Sequence, residues 1–241
     1  MSVFIFWKQK CLGTQRVVYC FSMMEDYYEE GYISAHDYAI EQCRKEKLNY
    51  KRVKKLAEKL LKRYAEGQED WNHGVEHSPE KIREEKQSIR RRYIEIILGI
   101  KEYTEEEIAD FIWDVVSSAW FREKADAILD KIEYTIDGRV TRKEYDPEKD
   151  YQLQGIQIKC FLRKAYLNGK NRIKKEEDIW KEMSISRSTL KRRKPDAIVL
   201  FGLLMWKYTV KRELDDIERG VVEAPDYNLK ALLEQGDLLL I

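Results

Sequence analysis

Proline and glycine are scarce. Four prolines and eleven glycines in 241 residues are too few for an all-β chain that must turn every ten residues or so. Cysteine is sparse as well. Cys11, Cys20, Cys43 and Cys160 are scattered with no CxxC pair, which excludes a disulfide framework and fits reduced thiols in a cytoplasm. No stretch approaches the roughly 18 apolar residues of a membrane span. The hydrophobic start, residues 1–7, runs into Lys8 and Lys10, too short and wrongly charged for a signal peptide. Neither a phosphate-cradling glycine loop nor a nucleophile elbow occurs. Neither sign of charge prevails: 45 basic and 44 acidic residues leave +1.

What is present is a helical pattern. Hydrophobic residues make up 43%, enough for a packed core and too many for a wholly disordered chain. Ser34 caps an expected helix over residues 35–46, and Asn49 caps a second that stops at Gly67. In the second, Val53, Leu56, Leu60 and Tyr64 share one face with Lys and Arg around the rest, as 3.6 periodicity requires. Ser78-Pro79 starts a helix that Gly99 ends. Thr104 and Glu107 form a capping box, after which Ile108, Phe111, Ile112, Val115 and Ala119 predict one long helix to about residue 130. Asp137-Gly138 admits a short β-hairpin within residues 132–145, and residues 3–7 and 17–21 can pair as another. Further helices are expected over residues 150–167, from near Lys175, after Pro195, and between Gly220 or Pro225 and the C-terminus. The fold class is mainly α.

The near-neutral total hides a division. Residues 150–213 hold 16 Lys and Arg against 7 Asp and Glu, or +9, and the remainder holds 29 against 37, or −8. Four segments follow: an N-terminal segment 1–33, an acidic helical module 34–147, a basic module 148–220, and a C-terminal helix or tail 221–241. The abrupt change to acidic, helical composition after residue 22 also allows Met23 or Met24 as the start of the chain. Local positive charge releases condensed counterions from a polyphosphate, whatever the base sequence.

Within the basic module, residues 176–194 read as helix, tight turn, helix. Ile179 and Met183 face inward, Ile185 plugs the turn, Ser186 caps the second helix, and Leu190 points back to the first. Arg187, Ser188, Lys191 and Arg192 then point outward, with Thr189 beside them and Arg193 and Lys194 following. A major groove admits one helix whose N-terminal residues meet the base edges. Arginine suits guanine O6 and N7, and free amides at a helix start suit a phosphate. Lys174 and Lys175, with Arg163, Lys164, Lys170 and Arg172, are placed to hold the backbone.

Residues 157–208 resemble the C-terminal module of phage-encoded transcriptional regulators of the ArpU kind, including RinA-type activators. That module is itself similar to region 4 of sigma factors. The matching features are a helix ending in Tyr166, then Ile179 and Met183, Ile185-Ser-Arg-Ser-Thr-Leu190, a basic tail, Ala197-Ile198 and Phe201. The resemblance implies an all-helical fold, a phage or prophage origin, control of late-gene transcription, and a recognition helix carrying Ser186, Arg187, Ser188, Thr189, Lys191 and Arg192. Three positions depart from the pattern. Trp180 stands where a small residue lets the helices approach, Ser184 where glycine makes the turn, and Pro195 inside what is often one helix. Pro195 removes a donor and biases Lys194 away from α geometry, which predicts a recognition helix ending near Arg193 and a new helix from Pro195.

Other constellations carry ordinary readings. His73 and His77 are four apart, but Gly74 and Pro79 put them in a loop without a third good ligand, so no metal is expected. His36 reads as an exposed helix residue. Asp110, Asp114, Asp126 and Asp130 read as solvated helix carboxylates rather than nuclease ligands. No acid/base set appears, so neither an enzyme nor a cofactor is expected. Residues 104–145 follow the order of a winged helix but read better as core. Residues 200–206 are apolar nearly all round and need a cover, from the C-terminal residues 238–241 or a second copy. The expected function is a sequence-specific, duplex-DNA-binding regulator in a bacterial host's cytoplasm, with RNA polymerase or a homo-oligomer as partner of the acidic half. The alternative is a phage-encoded inhibitor or adaptor that works by protein contact without reading DNA.

Overall fold

The computed structural model describes residues 35–67, 79–137, 155–168 and 174–231. Eight α-helices are seen in these residues: α1 (Ala35–Lys45), α2 (Tyr50–Gly67), α3 (Pro79–Leu98), α4 (Glu105–Ser117), α5 (Ala119–Asp137), α6 (Gly155–Leu162), α7 (Glu176–Glu182) and α8 (Arg187–Glu218). A π-helical turn, Arg163–Leu167, continues α6. No strand occurs among the described residues. The protein is mainly α.

Local signals set many of the helix ends. Asn49 Oδ1 accepts the Arg52 amide at 3.1 Å, capping α2. The capping box of α4 is complete: Thr104 Oγ1 accepts from the Glu107 amide at 3.1 Å, and Glu107 Oε2 accepts from the Thr104 amide at 2.8 Å. Gly99 ends α3 with φ +68, a conformation that a side chain resists. Ser34, Ser78, His73, His77, Pro147 and the proposed hairpin of residues 3–7 and 17–21 lie outside the described residues, as do residues 150–154 and 238–241.

Three expectations change. The single helix over residues 105–130 is broken at Ser118, whose backbone is extended. Serine hydroxyls compete for backbone groups there: Ser118 Oγ donates to the Val115 carbonyl at 2.6 Å and accepts the Phe121 amide at 3.2 Å, so it closes α4 and caps α5. Residues 132–137 are helical, not the first arm of a ribbon. Ile128, Leu129 and Ile132 are buried at helical spacing, and their burial holds the helix to Asp137. Residues 138–145 lie outside the described residues. Lastly, Pro195 does not start a helix; it sits inside the 32 residues of α8. Proline in a helix costs about 3 kcal/mol. A break would lift Leu190 on one side, or Ile198 and Phe201 on the other, out of the core, each worth about 1.5–3 kcal/mol when buried.

The axis of the fold is α8. It packs against α1, α2, α3 and α5, and every residue from Asp196 to Trp206 is buried. The all-round apolar stretch is thus covered in cis. At Gly202 the helices come close: an added Cβ would lie 2.9 Å from Val53 Cγ1 and 3.0 Å from Ala57 Cβ. Residues of both the acidic and the basic segments form one hydrophobic cluster, in which Phe121 stacks edge-on to Phe201. Buried ion pairs join α3 to the far end of α8. No described helix is long and apolar enough to cross a membrane.

Candidate nucleic-acid interface

The segment from Glu176 onward folds as two helices around a tight turn. Ile179 is fully buried and Leu190 is 2% exposed; together they lock α7 to the start of α8. Met183 and Ile185, half-buried, pack at the margin of the same core. The turn is a Schellman closure. The Ile185 amide reaches the Trp180 carbonyl at 3.1 Å and the Ser184 amide reaches Lys181 at 3.2 Å. Ser184 itself takes the left-handed conformation, φ +53, so serine makes the turn that glycine usually makes. Trp180, the other departure, is half-buried at this closure, with Lys181 Nζ 5.6 Å from its ring.

Ser186 then caps α8. Its Oγ accepts the Thr189 amide at 3.0 Å and lies 2.9 Å from Ser188 Oγ and 2.7 Å from Thr189 Oγ1. The first turn carries no acidic residue, so its unpaired amides and positive helix end are left to attract an anion. Arg187, Ser188, Lys191 and Arg192 are exposed and Thr189 is half-buried. Among the described residues, Arg187, Lys191 and Arg192 find no ion-pair partner. Lys175, at the N-terminus of α7, is likewise exposed and free of ion pairs with described residues.

The remaining expected contacts are engaged internally. Arg193 turns inward: Nη1 lies 3.6 Å from Asp196 Oδ2, and Nε is buried without a hydrogen bond among the described residues. Lys194 Nζ donates to Glu176 Oε1 at 2.5 Å. Burial would lower its ammonium, but Glu176 and Tyr166 outweigh burial and hold it above the ordinary lysine value. Lys174 and Lys164 both donate to Glu182, whose carboxyl they hold below the usual range. Arg163 pairs with Asp126 at 2.8 Å. Lys170 and Arg172 lie outside the described residues. The Lys194–Glu176 pair also sets the acidic first turn of α7 (Glu176, Glu177, Asp178) beside the second turn of α8, away from its cap.

One cluster went unread in the sequence. Asp196, 3% exposed, accepts at Oδ1 from Tyr50 Oη at 3.0 Å and lies 2.7 Å from His36 Nδ1. The His36 side chain is 44% exposed, but the residue as a whole is half-buried and has a buried partner, so it is not the simple exposed residue expected. The signal was available: an acid set in an apolar run after Pro195 must find donors. The four carboxylates Asp110, Asp114, Asp126 and Asp130 are exposed, and three of them pair with Arg92, Arg163 and Lys159. Among the described residues no group of three or more potential ligands could hold a metal ion.

What this arrangement offers is a rigid, capped helix start with three outward cations, seated on a core that holds its inner face. No known protein family, curated protein or solved structure matches this chain, so the surface is read on its own geometry and charge.

Proposed function

We propose that the protein binds duplex DNA and reads a short major-groove site with the first two turns of α8. The observation that carries the reading is the Ser186-capped start of α8. It presents Arg187, Lys191 and Arg192 without ion-pair partners among the described residues, while Leu190 and Ile179 fix its orientation. A groove about 12 Å wide admits such a helix. Arginine at its first turn can meet guanine O6 and N7, and the free amides can meet a phosphate. Lys175 adds a backbone contact from α7. Because α8 continues unbroken into the core, the orientation of the reading helix is that of the whole helical body.

The likeness of residues 157–208 to ArpU and RinA-type regulators supports transcriptional control of phage or prophage late genes in a bacterial cytoplasm as the biological setting. In that setting the acidic surface of α4, which DNA would repel, faces RNA polymerase or a second copy. No cofactor enters this function.

The test begins with selection of bound duplexes from a random pool, followed by gel shifts from 50 to 200 mM salt. The expected outcome is a preferred site and an affinity that falls linearly in log salt. Arg187→Ala with Arg192→Ala should remove the preference, at about 1–3 kcal/mol for each arginine–base interaction that alanine cannot make. An absence of any shift, or equal binding of all sequences by wild type and double variant, would overturn it. Activity untouched by that double variant would point to the adaptor.

A further inference from the structure

Helix α2 carries seven basic residues against Glu58 and Glu66, and the structure divides them by face. Lys55 and Lys59 bind Glu105 of α4, Arg52 donates to the Ile97 carbonyl, and Arg63 lies over the Trp113 ring. The adjoining strip, towards α8, is different. There Tyr50, Lys54 and Glu58 follow at helical spacing, flanked by Lys51 and Lys62. Lys51 is exposed and Lys54 half-buried, and neither forms an ion pair with a described residue. Lys62 pairs with Glu58 at 2.8 Å.

This edge borders α8 just behind the exposed start. Tyr50 donates to Asp196 at 3.0 Å. The hydrogen bond from Lys62, then the charges of Lys62, Lys54 and Lys194, hold the Glu58 carboxyl below its usual range against burial. Lys194 thus lies close enough to this edge for its charge to act on Glu58, while Tyr50 reaches α8 at Asp196. Lys194 is six residues beyond Ser188, a rise of about 9 Å at 1.5 Å per residue. A B-form major groove is about 8.5 Å deep. If α8 enters the groove end-on, with its first turn at the base edges, the level of Lys194 and the α2 edge beside it comes to the phosphate rim.

We propose that the Lys51–Lys54 edge of α2 is a second phosphate-binding surface, which grips the DNA backbone at the rim of the groove that α8 enters. The proposal rests on the duplex-DNA reading above and adds residues from the net-acidic part of the chain to the interface. Such contacts fix register and strengthen binding without reading sequence. They also explain why Lys51 and Lys54 are left open on the very helix whose other lysines are ion-paired.

Full-length Lys51→Ala/Lys54→Ala is compared with wild type and with Lys55→Ala/Lys59→Ala on the selected duplex and on a scrambled one, in a salt series. The α2-edge variant should lose affinity equally on both duplexes, with the slope of log affinity against log salt reduced by about 2. The Lys55/Lys59 variant should keep the wild-type slope. Wild-type binding with an unchanged slope in the α2-edge variant would overturn this proposal and leave the α8 reading intact. So would a loss confined to the selected duplex, which is the mark of base contact. Failure of wild type to bind any duplex would end both.

Discussion

Arg90 and Glu213 meet inside the protein. Arg90 Nε donates to Glu213 Oε2 at 3.1 Å, while Glu213 is fully buried and Arg90 only 5% exposed. A second donor, Arg90 Nη2, reaches Asp216 at 2.8 Å, and Arg91 Nε reaches the other Glu213 oxygen at 2.8 Å. These bonds tie α3 to the end of α8, opposite the end that carries the candidate interface. Charges out of water must be fully bonded to be tolerated, and here both Glu213 oxygens are.

The pair is therefore a sensitive site. Glu213→Ala takes one of two carboxylates from the buried Arg90 guanidinium and the ionic partner from Arg91, and should lower the unfolding free energy by about 3–5 kcal/mol. Replacing both partners, Arg90→Met with Glu213→Leu, should recover only part of that loss, because buried Asp216 then keeps Arg212 alone. Urea denaturation of the three proteins checks this. A single variant within about 1 kcal/mol of wild type would show a solvated pair.

Cys43 gives a pH prediction. Burial above all, and then the Glu46 carboxylate, push its thiol up to about 12. The folded value lies above the unfolded one, so the unfolded chain releases the proton first. The stabilising contribution is complete below the ordinary thiol value, near about 8.5, and is lost as pH rises through about 12. In mildly alkaline buffer, iodoacetamide should leave Cys43 unlabelled in the native protein and label it once urea unfolds the chain. Peptide mass mapping reads this directly, and native-state labelling of Cys43 would refute it.

Local chemistry made much of the fold legible. Asn49, the Thr104–Glu107 box, Gly99 and Ser186 act within one turn of themselves, so their bonds can be read from neighbours in the chain. The same holds for the inner face of the candidate site, since Ile179, Ile185 and Leu190 declare themselves by spacing. Tertiary facts were not legible. That Arg193 faces Asp196 beside Tyr50 and His36 depends on contacts about 150 residues apart, and charge counting treated Arg193 and Arg192 alike. Pro195 is a strong local signal that burial on both flanks outweighs, and residues 132–137 continue a helix that their alternation does not announce. Ser118 failed in the other direction, because two adjacent serines gave no turn signature although their hydroxyls break the helix.

Ser184 holds a conformation that glycine adopts without strain. A non-glycine residue there costs about 1–2 kcal/mol, part of which glycine gives back through its freer unfolded chain. Ser184→Gly should stabilise the protein by about 0.5–1 kcal/mol. On the proposed duplex-DNA reading, affinity should stay unchanged, since this exposed side chain lies outside α8. Thermal melting with a parallel gel shift tests both halves. Destabilisation would mean that the turn is not left-handed.

Pro195→Ala separates a continuous α8 from two helices meeting at residue 195. In a continuous helix, alanine restores the amide that can bond to the Lys191 carbonyl and removes the ring clash, which should raise stability by about 1–3 kcal/mol. Proline at a first helical position sacrifices nothing, because that amide has no partner in the helix, and its fixed φ limits the unfolded chain. Alanine there would be neutral or slightly destabilising. The sign of the change in the urea midpoint therefore decides between the two arrangements. A rise also means that the exposed first turns of α8 and the core share one rigid rod, so movement of the core would move the proposed reading turns with it.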